Sequence, residues 1–542
     1  MTWFWILFGA VLVGAVIRAS FSSVVRWAVR RRLGGFTHRY NHVDPNLPLE
    51  PRDTRRVAVI GGGLAGVSAA FHLGERGFAV TLLEREPYLG GKVGSWTTTG
   101  PEGEQLPVSH GFHAFFRHYY NLNRFLRRQG IRQGFRSIDD YMIVRPDGDH
   151  LGFGEMEPTP LLNLLSLHKS GFFRWRDILF SSARNHMNVF FQYEPESIFR
   201  KFDDEPFDRY AARTGLPDRL RLAFNNFSRA FFADESKLST AELLKSIHFY
   251  YFGHDHGLVY DYPTEDFAKS LWKPVQERLD DLGVQVRLEC PVKSLERSAV
   301  GTWNVNGDSF DYVVLAADVA GARPLLEPLK PPVSLESIQP GQPYASVRMW
   351  VDRDARNMTP PFVITDRVHA LDAVAFYHRM ESEAADWVRA NGGAVIELHC
   401  YAAPDHLTED DEALVDTMKK ELERFFPELE GYRVRHQTQY VARNFTAFHA
   451  GLGRNRPGTD VGLHNLFVAG DWVKLPFPAM LMEAAFSSGL LAANAIFSKE
   501  GLRQEPVDTV PPVGLMVSRA RSNRSLEPSS ARSGTRRAPS EA

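Results

Sequence analysis

Gly61-Gly62-Gly63-Leu64-Ala65-Gly66 follows directly on the apolar run Val57-Ala58-Val59-Ile60 and opens a helical pattern that ends near Gly77. Glycines at that spacing, between a strand and a helix, leave few folds open. The chain must turn tightly at Gly61, lie bare at Gly63 and pack its helix closely at Gly66. A second apolar run, Val80-Thr81-Leu82-Leu83-Glu84, completes a βαβ unit. Leu64 and Ala65 stand in the first turn of the helix, whose free N–H groups favour a pyrophosphate. Glu84, ending the second strand, is placed to accept hydrogen bonds from ribose hydroxyls. The unit predicts an α/β chain with a Rossmann-type nucleotide site.

At 542 residues the chain exceeds one ordinary core, and two or three packed units are expected. Its 63 basic and 65 acidic residues give a net charge of −2, which supplies no basic field for nucleic acid. Cys290 and Cys400 form no CxxC pair and have no histidine at metal-ligand spacing. Neither a disulfide scaffold nor a metal site is expected, and a reducing compartment fits.

The chain divides by pattern. Residues 1–35 hold an uncharged, mostly apolar run from Trp3 to Ile17, then Arg18, Arg26 and Arg30-Arg31-Arg32. The run falls short of the roughly 20 residues of a spanning helix and lacks a cleavage site. It reads as a signal anchor with the catalytic body on the cytoplasmic side. A helix lying in the membrane interface, or a buried helix of the body, stays open as a reading. Residues 36–55 form a polar linker, and 56–109 the first part of the nucleotide domain. Residues 110–255 are helical and aromatic-rich, and 256–330 return to the nucleotide domain, with strand patterning at Val284–Val292 and Asp311–Ala316. Residues 331–450 mix strands (Ser346–Val351, Ala394–Cys400) with a helix from Asp411 to Phe426. Residues 451–504 close the nucleotide domain with a strand from Leu466 and a helix ending near Phe497, and 505–542 read as a disordered tail.

Two further segments narrow the nucleotide. Glu84-Arg85-Glu86, then Leu89-Gly90-Gly91-Lys92-Val93-Gly94, follows the second strand. Near the other end, Leu466-Phe467-Val468-Ala469-Gly470-Asp471 leads into a helix carrying Met482, Glu483, Ala485, Gly489 and Asn494. In this order the segments resemble the flavin amine oxidase and carotenoid desaturase superfamily. The resemblance implies FAD, held non-covalently because no cysteine lies near residues 470–485. It implies a fold of the p-hydroxybenzoate hydroxylase and amine oxidase type, with an inserted α+β substrate-binding domain. It places Arg85, Gly91 and Lys92 along the pyrophosphate, Val292 at the adenine and Asp471 after Gly470 at the ribityl phosphate. Met482 falls at the helix start beside the isoalloxazine ring. Gly451-Leu452-Gly453 is followed by Arg454, so no second nucleotide turn is present, and a quinone or oxygen is the expected electron acceptor.

Between these segments Ser109-His110-Gly111-Phe112-His113-Ala114-Phe115-Phe116 runs into Arg117-His118-Tyr119-Tyr120-Asn121-Leu122. This block resembles the carotenoid phi-ring synthase (isorenieratene synthase) group, which aromatises a beta-ionone ring by dehydrogenation with a 1,2-methyl shift. The resemblance implies a lipid-soluble carotenoid substrate. His113 is the candidate base, with His110 and Tyr119 next, because an imidazole near neutral pH can accept one proton. Aromatic clusters at Phe172, Phe173, Trp175, Phe180, Phe190, Phe191 and Tyr193, and at Phe224, Phe227, Phe231, Phe232 and 249–252, suit the walls of a polyene tunnel or plain core. His248, His254 and His256 form a cluster without a defined role. A linear carotene desaturase or isomerase, a hydroxysqualene-type oxidoreductase, an amine oxidase and a non-catalytic flavin-fold scaffold remain as other readings.

Overall fold

The computed structural model describes residues 20–138, 140–154, 156–222, 231–366 and 369–517. The Trp3–Ile17 run and residues 518–542 lie outside them.

A five-stranded parallel sheet carries the nucleotide half, in the order Gln285–Arg287, Ala79–Leu83, Arg56–Ile60, Tyr312–Leu315, Leu466–Val468. Its central strands are covered on both faces, which is why they read as unbroken apolar runs. The Leu64–Gly74 helix packs against the Leu481–Lys499 helix, and both are mostly buried. The latter is long and apolar enough to cross a membrane, but its burial makes it a core helix. The extended expectation over Val284–Val292 contracts to Gln285–Arg287.

The second half is built on a seven-stranded mixed sheet, ordered Val434–Ala442, Tyr344–Val351, Ala394–Cys400, Ala373–Phe376, Phe362–Thr365, Met142–Val144, His150–Gly152. Alternate residues of its inner strands serve two layers. Ala345, Val347, Met349, Ile396, Leu398, Val363 and Val374 pack against the Asp411–Phe425 helix through Leu414, Met418 and Leu422. The intervening residues, among them Tyr344, Arg348, Glu397, His399 and Phe362, turn toward the nucleotide half. Residues 110–255 are therefore not all helical: Met142–Val144 and His150–Gly152 leave that region to extend this sheet.

Two expectations about the ends need correction. Within 36–55, His38–Arg39 pairs with Asp508–Thr509 as a two-stranded antiparallel ladder. Residues 505–517 are not a disordered tail, because Val507, Val510, Val513 and Leu515 are buried. Leu515 joins Val29, Leu33 and Phe36 in a small cluster that docks the helix over 20–33 on the body. Apolar burial outweighs the polar composition of the segment's surroundings.

Candidate active site

One cavity of about 480 Å³ runs from the carboxyl ends of the parallel strands to the inner face of the seven-stranded sheet. A switch-point crevice of this size is where open α/β sheets hold ligands.

At its nucleotide end lie Gly61, Gly63, Leu64, Ala65, Glu84, Arg85, Gly91, Lys92 and Val292, with Gly470, Asp471 and Met482 further along. Gly61 has φ +107°, and a Cβ there would stand 2.7 Å from the Ala316 carbonyl oxygen, so only glycine fits the turn. Gly63 differs. Its φ of −74° suits any residue, and the protein atom nearest an added Cβ is Gly91 Cα at 3.8 Å. The space it leaves belongs to the cavity. No side chain caps the helix that starts there, which leaves its first N–H groups for a ligand. Gly66 is the exception among the expected contacts. It does not line the cavity, and its missing side chain instead lets the helix close on the Gly61 carbonyl.

Glu84 is buried; its carboxylate accepts the Gly62 N–H at 2.5 Å and the Glu86 N–H at 2.9 Å. Burial raises its pKa, and the two N–H groups oppose that rise. The Arg85 guanidinium is 3.1 Å from Glu86 and 3.4 Å from Asp318. Lys92 Nζ stands 3.1 Å from Asp471 and over the Phe445 ring at 4.9 Å. Thr446 donates to the same aspartate at 2.9 Å. The carboxylate thus holds the lysine in mid-cavity instead of leaving it free. Glu483 does not reach the cavity. Its oxygens accept the N–H groups of Asn121 and Leu122 at 2.9 and 3.1 Å and so cap the Tyr120–Arg128 helix. Burial pushes its pKa up to about 7.

Every Asp, Glu, Lys or Arg on the cavity wall lies within 84–92 or at 318 and 471. The far end is aromatic. Phe112 stacks on Phe362 at 4.4 Å, Tyr141 on Phe153 at 4.6 Å, and Tyr260 stands 5.2 Å from Tyr141. His113 lines this chamber; its Nδ1 donates to the Gly111 carbonyl at 2.7 Å, leaving Nε2 as the acceptor. Burial lowers its pKa to about 4. His110 packs between Trp96 and Tyr440 at 4.8 and 4.3 Å, with the Tyr88 hydroxyl 3.2 Å away. Burial, then the neighbouring His113, lowers its pKa to about 3. The Tyr119 hydroxyl bonds that of Tyr250 at 3.0 Å, and burial raises its pKa well above the ordinary value. It stays a phenol at neutral pH.

The aromatic clusters separate. Phe231, Phe232 and Tyr250 line the cavity, whereas Phe172, Phe173, Phe190 and Tyr193 are core, and Phe180 is 88% exposed. Phe224 and Phe227 fall outside the described residues. His254 stacks on His118 at 3.7 Å, and His248 bonds the Pro511 carbonyl, so the histidine cluster serves packing. Among the described residues no group of three or more His, Cys, Asp or Glu could hold a metal ion. Tyr344, Tyr401, Tyr440, Asn444 and Phe445, from the seven-stranded sheet and the chain after it, complete the middle wall. No local motif marks them; only the pairing of distant strands brings them together.

The profile of the flavin containing amine oxidoreductase family matches residues 64–497. A carotenoid phi-ring synthase of Streptomyces griseus is 35% identical, over 85% of this chain and 91% of its own. Another carotenoid phi-ring synthase, from Chlorobaculum tepidum, is 28% identical over the same shares of the two chains. Among solved structures, an oxidoreductase from Methanosarcina mazei superposes with a TM-score of 0.57 at 16% identity, covering 82% of this chain and all of that one.

Proposed function

The chain belongs to the flavin containing amine oxidoreductase family, and from that premise we propose that it is an FAD-dependent carotenoid oxidoreductase. It desaturates a beta-ionone end ring with a 1,2-methyl shift to give an aromatic ring. The observation that carries the reading is the single cavity: a charged, glycine-rooted nucleotide end continuous with an uncharged aromatic chamber. The similarity to the two phi-ring synthases supports it.

The bare backbone at Gly63, the uncapped helix start and the Glu84 carboxylate suit the pyrophosphate and ribose of a dinucleotide. The cavity passes Gly470 and Asp471 and meets the start of the Leu481–Lys499 helix at Leu481, Met482 and Ala485. A helix start there favours negative charge by ~0.3–1 kcal/mol. When bound, the flavin supplies two-electron oxidation of the ring. The protein does the rest. Phe112, Tyr260 and Phe362 keep water from the ring, and their faces stabilise positive charge by ~0.5–2 kcal/mol. His113 Nε2 accepts the proton. Its low pKa is no handicap, since a proton beside a carbocation is far more acidic than an imidazolium. The same low value keeps His113 neutral throughout the physiological range.

The substrate enters from a membrane. The helix over 20–33 exposes Phe21, Val24 and Trp27, with Arg26, Arg30 and Arg31 beside them. Apolar side chains bordered by arginines suit a helix docked at an anionic lipid surface, with the catalytic body on the cytoplasmic side. A quinone in the same membrane, or oxygen, takes the electrons.

Flavin-loaded protein mixed anaerobically with beta-carotene in liposomes should bleach and release a pigment with an aryl end ring, read by absorption and mass. No bleaching, or bleaching without an aryl end-ring product, would overturn the reading. His113→Ala should keep its yellow flavin and lose turnover by roughly 10²–10⁴-fold; unchanged turnover would exclude it as the base.

A further inference from the structure

His113 stands between two cavities. Besides the main one, it lines a second of about 10 Å³, bounded also by Phe267, Tyr377, Met380 and Glu381. That is roughly the space one water centre needs, provided two or more polar partners face it. The partners are present. Glu381 Oε2 is buried and has only the long contact to Arg348 at 3.6 Å, the buried Tyr377 hydroxyl has Ser109 beside it, and His113 keeps its Nε2 acceptor. A buried carboxyl oxygen without a close hydrogen bond is costly, and a bridging water reduces the cost.

We propose that one water bound in this cavity links His113 to Glu381 and carries the protons released from the ring out of the aromatic chamber. The inference rests on the reading of His113 as the base. The ring proton goes to His113 Nε2; the water takes it and passes a proton to Glu381 Oε2, restoring the neutral imidazole. Only protons travel this way: the electron pair of the deprotonated C–H bond stays in the ring as the new double bond, and the hydride from the other C–H bond would go to the flavin. The chamber needs such an exit, since its other walls are aromatic and each aromatised ring releases more than one proton.

The surroundings of Glu381 suit an acceptor. Burial raises its pKa to about 8, opposed by Arg348 at 3.6 Å and reinforced by Glu397, Glu383 and Asp266; across the cavity it faces the neutral His113 and the phenols Tyr377 and Tyr262. Glu383, two residues on, pairs with the exposed Lys269.

The carboxyl takes a proton only when ionised, so turnover should rise with pH through about 8 and then level. Neither His113 nor His110 contributes a change there, as both are already neutral. On the holoenzyme with beta-carotene liposomes, Glu381→Gln should bleach at the wild-type rate in its first half-turnover. It should turn over tenfold or more slowly and lose the rise near pH 8, and Glu381→Asp should recover part of both. Independently of substrate, infrared spectra of the protein should show a buried carboxylic acid band that titrates near pH 8. That band should vanish in Glu381→Gln and shift in His113→Ala. A Glu381→Gln enzyme with the wild-type pH profile, or a band indifferent to His113, would overturn the relay. Failure of the wild type to bleach with the carotene would sink the substrate reading instead, and the infrared result would still decide the link.

Discussion

Gly63→Val should fold, melt at the temperature of the wild-type apoprotein, and emerge from purification colourless. Both halves of that result follow from one geometry. The backbone at this position is ordinary, with φ −74°, and the nearest protein atom to a new Cβ is 3.8 Å away, so the apoprotein has room for a branched side chain. The room is the cavity's own. Two methyl groups placed there occupy the path of a pyrophosphate and crowd the start of a helix that no side chain caps. A weakening of flavin affinity by 100-fold or more is expected, roughly 2.8 kcal/mol. Flavin absorbance of the purified variant and titration of the apoprotein measure it. Stoichiometric flavin at wild-type affinity would mean that the turn is not the cradle.

Arg348→Leu is expected to cost about 3–5 kcal/mol of folding stability. Arg348 and Glu397 face each other across neighbouring antiparallel strands, 2.7 Å apart and almost wholly buried. The guanidinium also donates to the Pro107 carbonyl and to Ser109, and lies 3.7 Å over the Tyr377 ring. It therefore ties the seven-stranded sheet to the Gln105–Ser109 strand that leads into His110 and His113. Removing it strands the Glu397 carboxylate in a dry interior. The double change Arg348→Leu with Glu397→Leu should regain much of the loss at neutral pH, because the remaining partner, Glu381, is held uncharged there by its burial. Chemical denaturation of the three variants reads the difference; a double variant as unstable as the single would show that packing, and not the unpaired charge, sets the cost.

The nucleotide half was legible because its constraints are local. A positive φ at Gly61, a bare backbone at Gly63 and an acid at the end of the next strand all fall within one short stretch of chain. The middle wall was not legible. Tyr344, Arg348 and Glu397 sit on strands buried on both faces, where residues facing the helix and residues facing the cavity are equally sheltered, and no alternation shows. The same blindness hid Met142–Val144 and His150–Gly152, short strands paired with residues far along the chain. Aromatic density misled in another way. Phe172 and Phe231 look alike in sequence, yet one fills core and the other lines the cavity, and only tertiary packing decides which. Residues 505–517 looked like a tail because their four apolar anchors are spaced among prolines and glycines.

The ladder that joins residues 38–39 to 508–509 reaches further than its size suggests. Asp508 is bonded to Asn121 and Arg124; Asn121 is held by Glu483, next to the Met482 that borders the cavity. Residues 38–39 and 508–509 are thus tied to the wall of the redox chamber. A protease cut or an insertion near residue 506 would therefore be felt inside that chamber.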